Sequence, residues 1–331
     1  MEQDLTPYNS DTNAVTTHRG IPIPELVARA DEETQSDFLQ FFLAEIRNKN
    51  TRETYARHVR RFFAWCQACG IEDLHSIDPL VVSAYIERLT GRYKERTVQN
   101  VRSALVSLYD YLVARNNDVA FNPARPVRPP KFSATEGETP DLKPREVDRL
   151  FASIDTSTIV GLRDRALLGT LLYTCGRVSA VVATKRKDFR ETGDGGYTLT
   201  LHEKGGKRHR VPVHSTLRTY ILAYLEAAPP LEPAAPLFRS LDRKKQLTEK
   251  KLDRRDVGRL VKRRAMKAGI RSVFSPHSFR ATGATALLEA GVAVEVVQRL
   301  LNHADPRTTR FYDRRRLKVV QQDIEKMDFR H

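Results

Sequence analysis

Between Asn122 and Pro144 the chain carries Pro123, Pro126, Pro129, Pro130, Pro140 and Pro144, together with Gly137. Each proline removes a backbone donor and fixes φ, so neither helix nor strand continues through such a density. A chain of 331 residues holds enough apolar sequence for more than one core. Residues 122–144 therefore read as a linker between two bodies, which are able to close like the halves of a clamp.

The two bodies differ in pattern. Residues 34–121 read as a compact helical domain of four amphipathic helices. Phe38, Leu39, Phe42 and Ile46 make the first apolar stripe; Tyr55, Val59, Phe62, Phe63 and Cys66 make the second, which Gly70 closes. Asp78-Pro79 opens the third as an N-cap and a first-turn proline, ahead of Val82, Tyr85, Ile86 and Leu89. Val98, Val101, Leu105, Leu108 and Leu112 form the fourth. Residues 145–331 are mixed. A helix with Leu167, Leu168, Leu171 and Leu172 leads to Cys175-Gly176-Arg177. Tyr197–Leu201 and Arg210–Val213 alternate like strands around a Lys204-Gly205-Gly206-Lys207 turn. Helical spacing then returns, including a helix from about Asp253 to Ala268 with Val257, Leu260 and Val261 inward. The fold class is thus mainly α, with a small antiparallel β-sheet in the C-terminal domain. Residues 1–33 lack periodicity and are rich in Thr, Asn, Asp and Pro, the pattern of a flexible arm.

Charge points to a partner. Lys and Arg number 56 against 41 Asp and Glu, a formal net charge of +15. The arm is acidic, with Glu2, Asp4, Asp11, Glu25, Asp31, Glu32 and Glu33 against Arg19 and Arg29, so the rest of the chain is more basic still. A solvated basic surface is the plain explanation; an acidic arm on a basic body fits a DNA-binding protein better. Arg52, Arg57, Arg60 and Arg61 lie along the second helix, and Arg96, Gln99 and Arg102 along the fourth. Solvated helix faces usually alternate charge sign, so these nearly uniform faces are expected to meet phosphates. Residues 243–267 hold twelve Lys or Arg against three acids; Arg254 and Arg259 there, and Lys207 in the turn, are further expected DNA contacts.

Other classes are disfavoured. Cys66, Cys69 and Cys175 cannot make a disulfide framework, which implies a reducing interior. Cys66-x-x-Cys69 has no second pair at metal spacing, so both are expected to pack on a helix without a metal. No apolar run reaches membrane-spanning length and no signal pattern opens the chain, so a soluble, cytoplasmic protein is expected.

Four residues near the C-terminus stand at telling intervals: His277-x-x-Arg280, then His303, then Tyr312. On a helix, His277 and Arg280 share a face. The surrounding phrases are Pro276-His-Ser-Phe-Arg-Ala-Thr-Gly283, Leu301-Asn-His-Ala-Asp305 and Arg307-Thr-Thr-Arg-Phe-Tyr-Asp-Arg314. With these phrases and His202-Glu-Lys-Gly-Gly-Lys207, residues 34–331 resemble the tyrosine recombinase (phage integrase) family, most like plasmid- and transposon-borne members.

The resemblance implies a helical, SAM-like core-binding domain and a mixed α/β catalytic domain, forming a C-shaped clamp on double-stranded DNA. It implies six catalytic residues, whose counterparts in order are Arg177, Lys204, His277, Arg280, His303 and Tyr312. It also implies a homo-tetramer on two DNA sites. The apolar stripe Leu317, Val320, Ile324 and Met327 after Tyr312 is then a helix that packs on its own domain or docks into a neighbouring protomer.

Chemistry supports the set independently. A tyrosine hydroxyl has a pKa near 10, so attack on a phosphodiester needs positive charge or a base beside it. Two guanidiniums, Arg177 and Arg280, suit the charge on the non-bridging oxygens. The deoxyribose 5′-oxygen must be protonated as it leaves; Lys204, favoured over Lys207, is the expected general acid. His277 would accept or hold the tyrosine proton, and His303 would hydrogen-bond the phosphate. Exchanging a phosphodiester for a phosphotyrosine keeps the bond energy, so neither ATP nor a metal cofactor is expected.

Two residues depart from the pattern. Many relatives carry an acid where this chain has Ala180, so an orienting partner must come from elsewhere, and Cys175 stands where Gly is common. A type IB topoisomerase-like enzyme is the alternative reading. A DNA-binding regulator that lost catalysis is the third, which the intact set of six disfavours.

Overall fold

The computed structural model describes residues 16–18, 21–115, 119–130, 139–270, 274–303, 305, 308–309 and 312–313, with the backbone alone at 16–18, 21–22 and 204. The chain divides into two units, residues 1–133 and 134–331.

Unit 1 opens with an antiparallel pair, β1 (Thr16–His18) and β2 (Ile21–Ile23), and a one-turn helix, α1 (Glu25–Ala28). The expectation of a flexible arm over residues 1–33 fails for this stretch. Ile23, Leu26 and Val27 are buried in the unit's core. Elements of three and four residues are too short to show a period, yet burying each apolar side chain contributes about 1.5–3 kcal/mol.

The four expected helices follow. α2 (Glu32–Gln40) is capped by Asp31, whose carboxylate accepts from Thr34 N–H, and runs on through a π-helical turn, Phe41–Glu45. α3 spans Lys49–Ala68, α4 Pro79–Leu89 with Asp78 as its N-cap, and α5 Glu95–Ala114. Their apolar stripes, including Val59, Phe62, Phe63, Val98, Leu105 and Leu108, meet in one core. Gly70 takes φ +78° just beyond α3, a left-handed stop that suits glycine. Of the two nearby cysteines, Cys66 is buried; Cys69, expected to pack, is exposed because it lies in the helix cap.

The first half of the proline-rich segment is not a free linker. Ala124 and Val127 are buried, and Asn122 turns the chain by accepting from Ala124 N–H and Arg125 N–H. Prolines leave this segment with carbonyls that no local donor reaches. α5 supplies the donors: Gln99 to Pro130 O at 3.1 Å, and Arg102 to Arg125 O at 2.7 Å and to Val127 O. Residues 119–130 are thus strapped to unit 1, and Gln99 and Arg102 are spent on that strap.

In unit 2, Leu142 is buried and its N–H donates to Thr282 Oγ1 at 2.9 Å. α6 (Pro144–Ala152) starts on a first-turn proline, and α7 (Ile159–Tyr173) is capped by Thr158. After the short α8 (Val178–Val182) come β3 (Phe189–Glu191), β4 (Tyr197–His202) and β5 (Arg208–Pro212), antiparallel in that order. Leu199 faces Val211 and Leu201 faces His209 in the β4–β5 register, so period-2 alternation turns the apolar residues into the core. α9 (Ser215–Ala227), the hairpin β6 (Arg239–Leu241) and β7 (Leu247–Lys251), α10 (Arg254–Lys267), α11 (Pro276–Glu289) and α12 (Val294–Leu301) complete the described elements. Val257, Leu260 and Val261 point inward as α10's spacing requires. β3 and the β6–β7 hairpin were not foreseen, being three to five residues long. The tail stripe at residues 317–327 lies outside the described residues.

Candidate active site

Arg177 follows the end of α7. Cys175 takes φ +50° there, which explains why glycine suits the position, and Arg177 then becomes the N-cap of α8. A Cβ on Gly176 would lie 2.8 Å from the Val181 side chain, so the turn needs glycine. Arg177 Nη1 donates to Glu203 Oε2 at 2.8 Å.

Arg280 and His277 come from the first turns of α11, opened by Pro276. Arg280 is only 1% exposed. Its Nη1 donates to Cys175 O at 2.6 Å, and its Nη2 to Leu301 O at 2.6 Å and His303 Nε2 at 2.8 Å. Two chain segments, one at Cys175 and one at Leu301–His303, are therefore clamped on one guanidinium. Gly283 permits the close packing of α11 on α7, since a Cβ there would sit 2.5 Å from Leu172 O.

His303 follows Asn302, which ends α12 in a left-handed conformation. A guanidinium only donates, so His303 Nε2 accepts and the ring proton sits on Nδ1, donating to Thr309 Oγ1 at 2.9 Å. Burial first, then Arg280, Arg177 and His277, push the His303 pKa down to about 4. Its Nε2 is thus engaged by Arg280. Because the folded state holds the proton less tightly than the unfolded chain, His303 contributes stability above pH ~6.5 that is lost as pH falls towards ~4. An NMR titration of the free protein is expected to place the His303 midpoint near pH 4. Bound DNA should raise it, because phosphate charge offsets the arginines; a free-protein midpoint near 6.5 would contradict the assignment.

Tyr312 is buried to 9% exposure, its carbonyl accepts from Thr285 Oγ1 at 3.2 Å, and its ring lies nearly parallel to His303. The phenol O–H meets His277 Nε2 at 3.3 Å. Burial, then Arg280 and Arg177, hold the His277 pKa below its usual value, so the ring is neutral and able to accept. Burial first, then Arg177, lowers the Arg280 pKa, and the Tyr312 phenol acts in the opposite direction.

The Lys204 side chain lies outside the described residues. Its backbone forms the β4–β5 turn, with Gly205 and Gly206 at φ +78° and +76° and Glu203 N–H donating to Lys207 O at 2.8 Å. Glu203 and Thr309, which hold Arg177 and His303, were missed in the sequence because each is separated from its partner in the chain and sits in no repeating pattern. Cys66-x-x-Cys69 has no metal-like neighbours: among the described residues no group of three or more His, Cys, Asp or Glu is placed to hold a metal.

Of the expected DNA contacts, Arg57, Arg60, Arg61, Arg96, Lys207, Arg254 and Arg259 are exposed. Arg52 caps Ile46 O at 3.0 Å and Arg102 holds the strap, so these two are structural donors. In the basic stretch 243–267, Arg264 turns inward to Asp164. The outer face of β3–β5 adds a basic hollow of about 470 Å³ lined by Lys185, Lys187, Arg190, Arg208 and Arg210.

The phage integrase family profile matches residues 140–318, and the phage integrase N-terminal SAM-like domain matches residues 37–116. The chain belongs to the phage integrase family of tyrosine recombinases. Tyrosine recombinase XerD of Listeria monocytogenes is 31% identical over 280 residues, covering 83% of this chain and 92% of the relative. XerD of Pseudomonas aeruginosa is 32% identical over 271 residues, covering 80% and 86%. Among solved structures, the XerH site-specific recombinase bound to difH in a pre-cleavage complex has TM-score 0.63 at 24% identity, covering 83% of this chain and 78% of that one. A λ integrase dimer on a COC′ core site also gives 0.63, at 16% identity, covering 83% and 96%. These two share the fold. The chain is thus a tyrosine-type site-specific DNA recombinase, mainly α with small antiparallel sheets. No helix among the described residues is long and apolar enough to cross a membrane.

Proposed function

We propose that this recombinase cleaves and rejoins double-stranded DNA through a 3′-phosphotyrosine on Tyr312. The observation that carries the reading is the Tyr312 phenol 3.3 Å from a neutral His277 Nε2, on the helix that also carries the buried Arg280. His277 takes the phenol proton as the oxygen attacks phosphorus. Arg280 and Arg177 stabilise charge on the non-bridging oxygens, with His303 as a further donor once phosphate displaces Arg280 from its ring and Nε2 takes up a proton. The 5′-oxygen departs with a proton from Lys204, and a partner strand's 5′-hydroxyl reverses the step. Bond energy is conserved, so no ATP is consumed, and cationic side chains supply the charge stabilisation without a metal. Exposed arginines of unit 1 and of α10 track the backbone, and a synaptic homo-tetramer pairs two sites in the cytoplasm.

The test is a nicked suicide substrate, from which the wild-type protein should trap a covalent protein–DNA strand; absence of adduct would leave a DNA-binding regulator. A two-site plasmid should give deletion or inversion products, whereas topoisomers alone would indicate a type IB topoisomerase. Lys204→Ala is expected to slow cleavage of an ordinary strand far more than one with a 5′-bridging sulfur, a leaving group that needs no proton. Equal slowing of both substrates would remove Lys204 from the acid role; Lys207→Ala is the control.

A further inference from the structure

We propose that Glu203 is the positioning residue of Arg177, so that Arg177 reaches the scissile phosphate in register only when the β4–β5 hairpin is in place. The proposal rests on the catalytic reading of Arg177 given above. Glu203 Oε2 lies 2.8 Å from Arg177 Nη1, and the Glu203 side chain is 6% exposed while that of Arg177 is 41% exposed. The carboxylate is thus sealed beneath a guanidinium that keeps surface open for a phosphate. A carboxylate withdrawn from water needs a charged partner, and the partner in turn loses its freedom to swing.

The backbone at Glu203 is itself fixed. Its N–H closes the turn on Lys207 O, and the preceding His202 pairs with Asp188 at 2.7 Å. Across the hairpin, His209 Nε2 donates to Leu300 O at 2.9 Å. Leu300 adjoins Leu301, whose carbonyl holds Arg280. One hairpin is therefore tied to both arginines, directly to Arg177 and through the end of α12 to Arg280. The position one turn past Arg177 is closed to an acid: Ala180 is fully buried in the apolar core of unit 2. Glu203 supplies from the hairpin the negative charge that α8 has no room to carry.

The test uses the full-length protein on a nicked suicide substrate bearing either a phosphodiester or a neutral methylphosphonate at the cut. The neutral phosphorus carries less charge for paired guanidiniums to offset. Glu203→Gln is expected to bind DNA as the wild type does and to cleave the phosphodiester about 10- to 100-fold more slowly, the cost of a misplaced catalytic group. On the methylphosphonate it should approach the wild-type rate. Equal slowing on both substrates, or no slowing on either, overturns the proposal. Glu203→Asp keeps the charge and should retain more phosphodiester activity than Glu203→Gln; the reverse order also overturns it. Tyr312→Phe in the same assay separates the two readings. Adduct from that variant sinks the reading of the site, whereas an inactive Tyr312→Phe beside a fully active Glu203→Gln sinks only the role of Glu203.

Discussion

Tyr312→Phe protein is expected to bind its recombination site as the wild type does and to yield no protein-linked strand. The substitution removes one oxygen. The ring keeps its place in the buried cluster that holds Cys175, Ala281, Ala284 and Leu301, and the main-chain tie from Thr285 stays. The lost hydrogen bond to His277 costs about 0.5–1.5 kcal/mol of stability, the net contribution of a typical intramolecular bond. On the proposed reading the chemistry loses its nucleophile, and loss of a nucleophile elsewhere costs on the order of a million-fold in turnover. Gel separation of protein-linked from free DNA on the nicked substrate reads the outcome directly. Adduct at wild-type levels would falsify the assignment of Tyr312.

Asp164→Asn is expected to destabilise unit 2 by about 3–5 kcal/mol, the cost of leaving a buried charge without its partner. Asp164 is fully buried and serves both sides of the core at once. Oδ1 accepts from Arg163 Nη2 at 2.6 Å; Oδ2 accepts from Arg264 Nε at 3.0 Å and Nη2 at 2.7 Å. Arg163 goes on to donate to Arg239 O at 3.0 Å, so one carboxylate joins α7, α10 and β6. An amide keeps the shape but not the charge, and two buried guanidiniums then face each other uncompensated. Domains are stable by only about 5–15 kcal/mol, so the loss is a large share of the total. Urea denaturation followed by circular dichroism should show a lower midpoint. The single tryptophan, Trp65, lies in unit 1 and its fluorescence reports that body separately. An unchanged dichroism midpoint would show that Arg163 and Arg264 find other partners.

Local chemistry made much of the molecule legible. α3, α4, α5 and α10 were written in apolar residues three and four apart, and the β4–β5 hairpin in alternation around Gly205-Gly206, because these periods depend only on neighbours in the chain. His277, Arg280, His303 and Tyr312 could be picked out for the same reason, as fixed intervals within short phrases. Short elements escaped. β1, β2 and α1 hold too few residues for a period, and only burial of Ile23, Leu26 and Val27 orders the chain there.

Charge was legible in amount and not in direction. Arg57 and Arg102 look alike in the sequence, yet one is exposed and the other spends its donors on carbonyls that proline-rich chain leaves unmatched. Arg264 lies in a run of surface cations and points into the core because Asp164, one hundred residues earlier, is there to meet it. Residue types and local periods set the helices, the hairpin and the roster of reactive groups. Folding chose the pairings of Glu203 with Arg177 and of Asp164 with Arg264, since such contacts depend on which distant segments share a space from which water has been excluded.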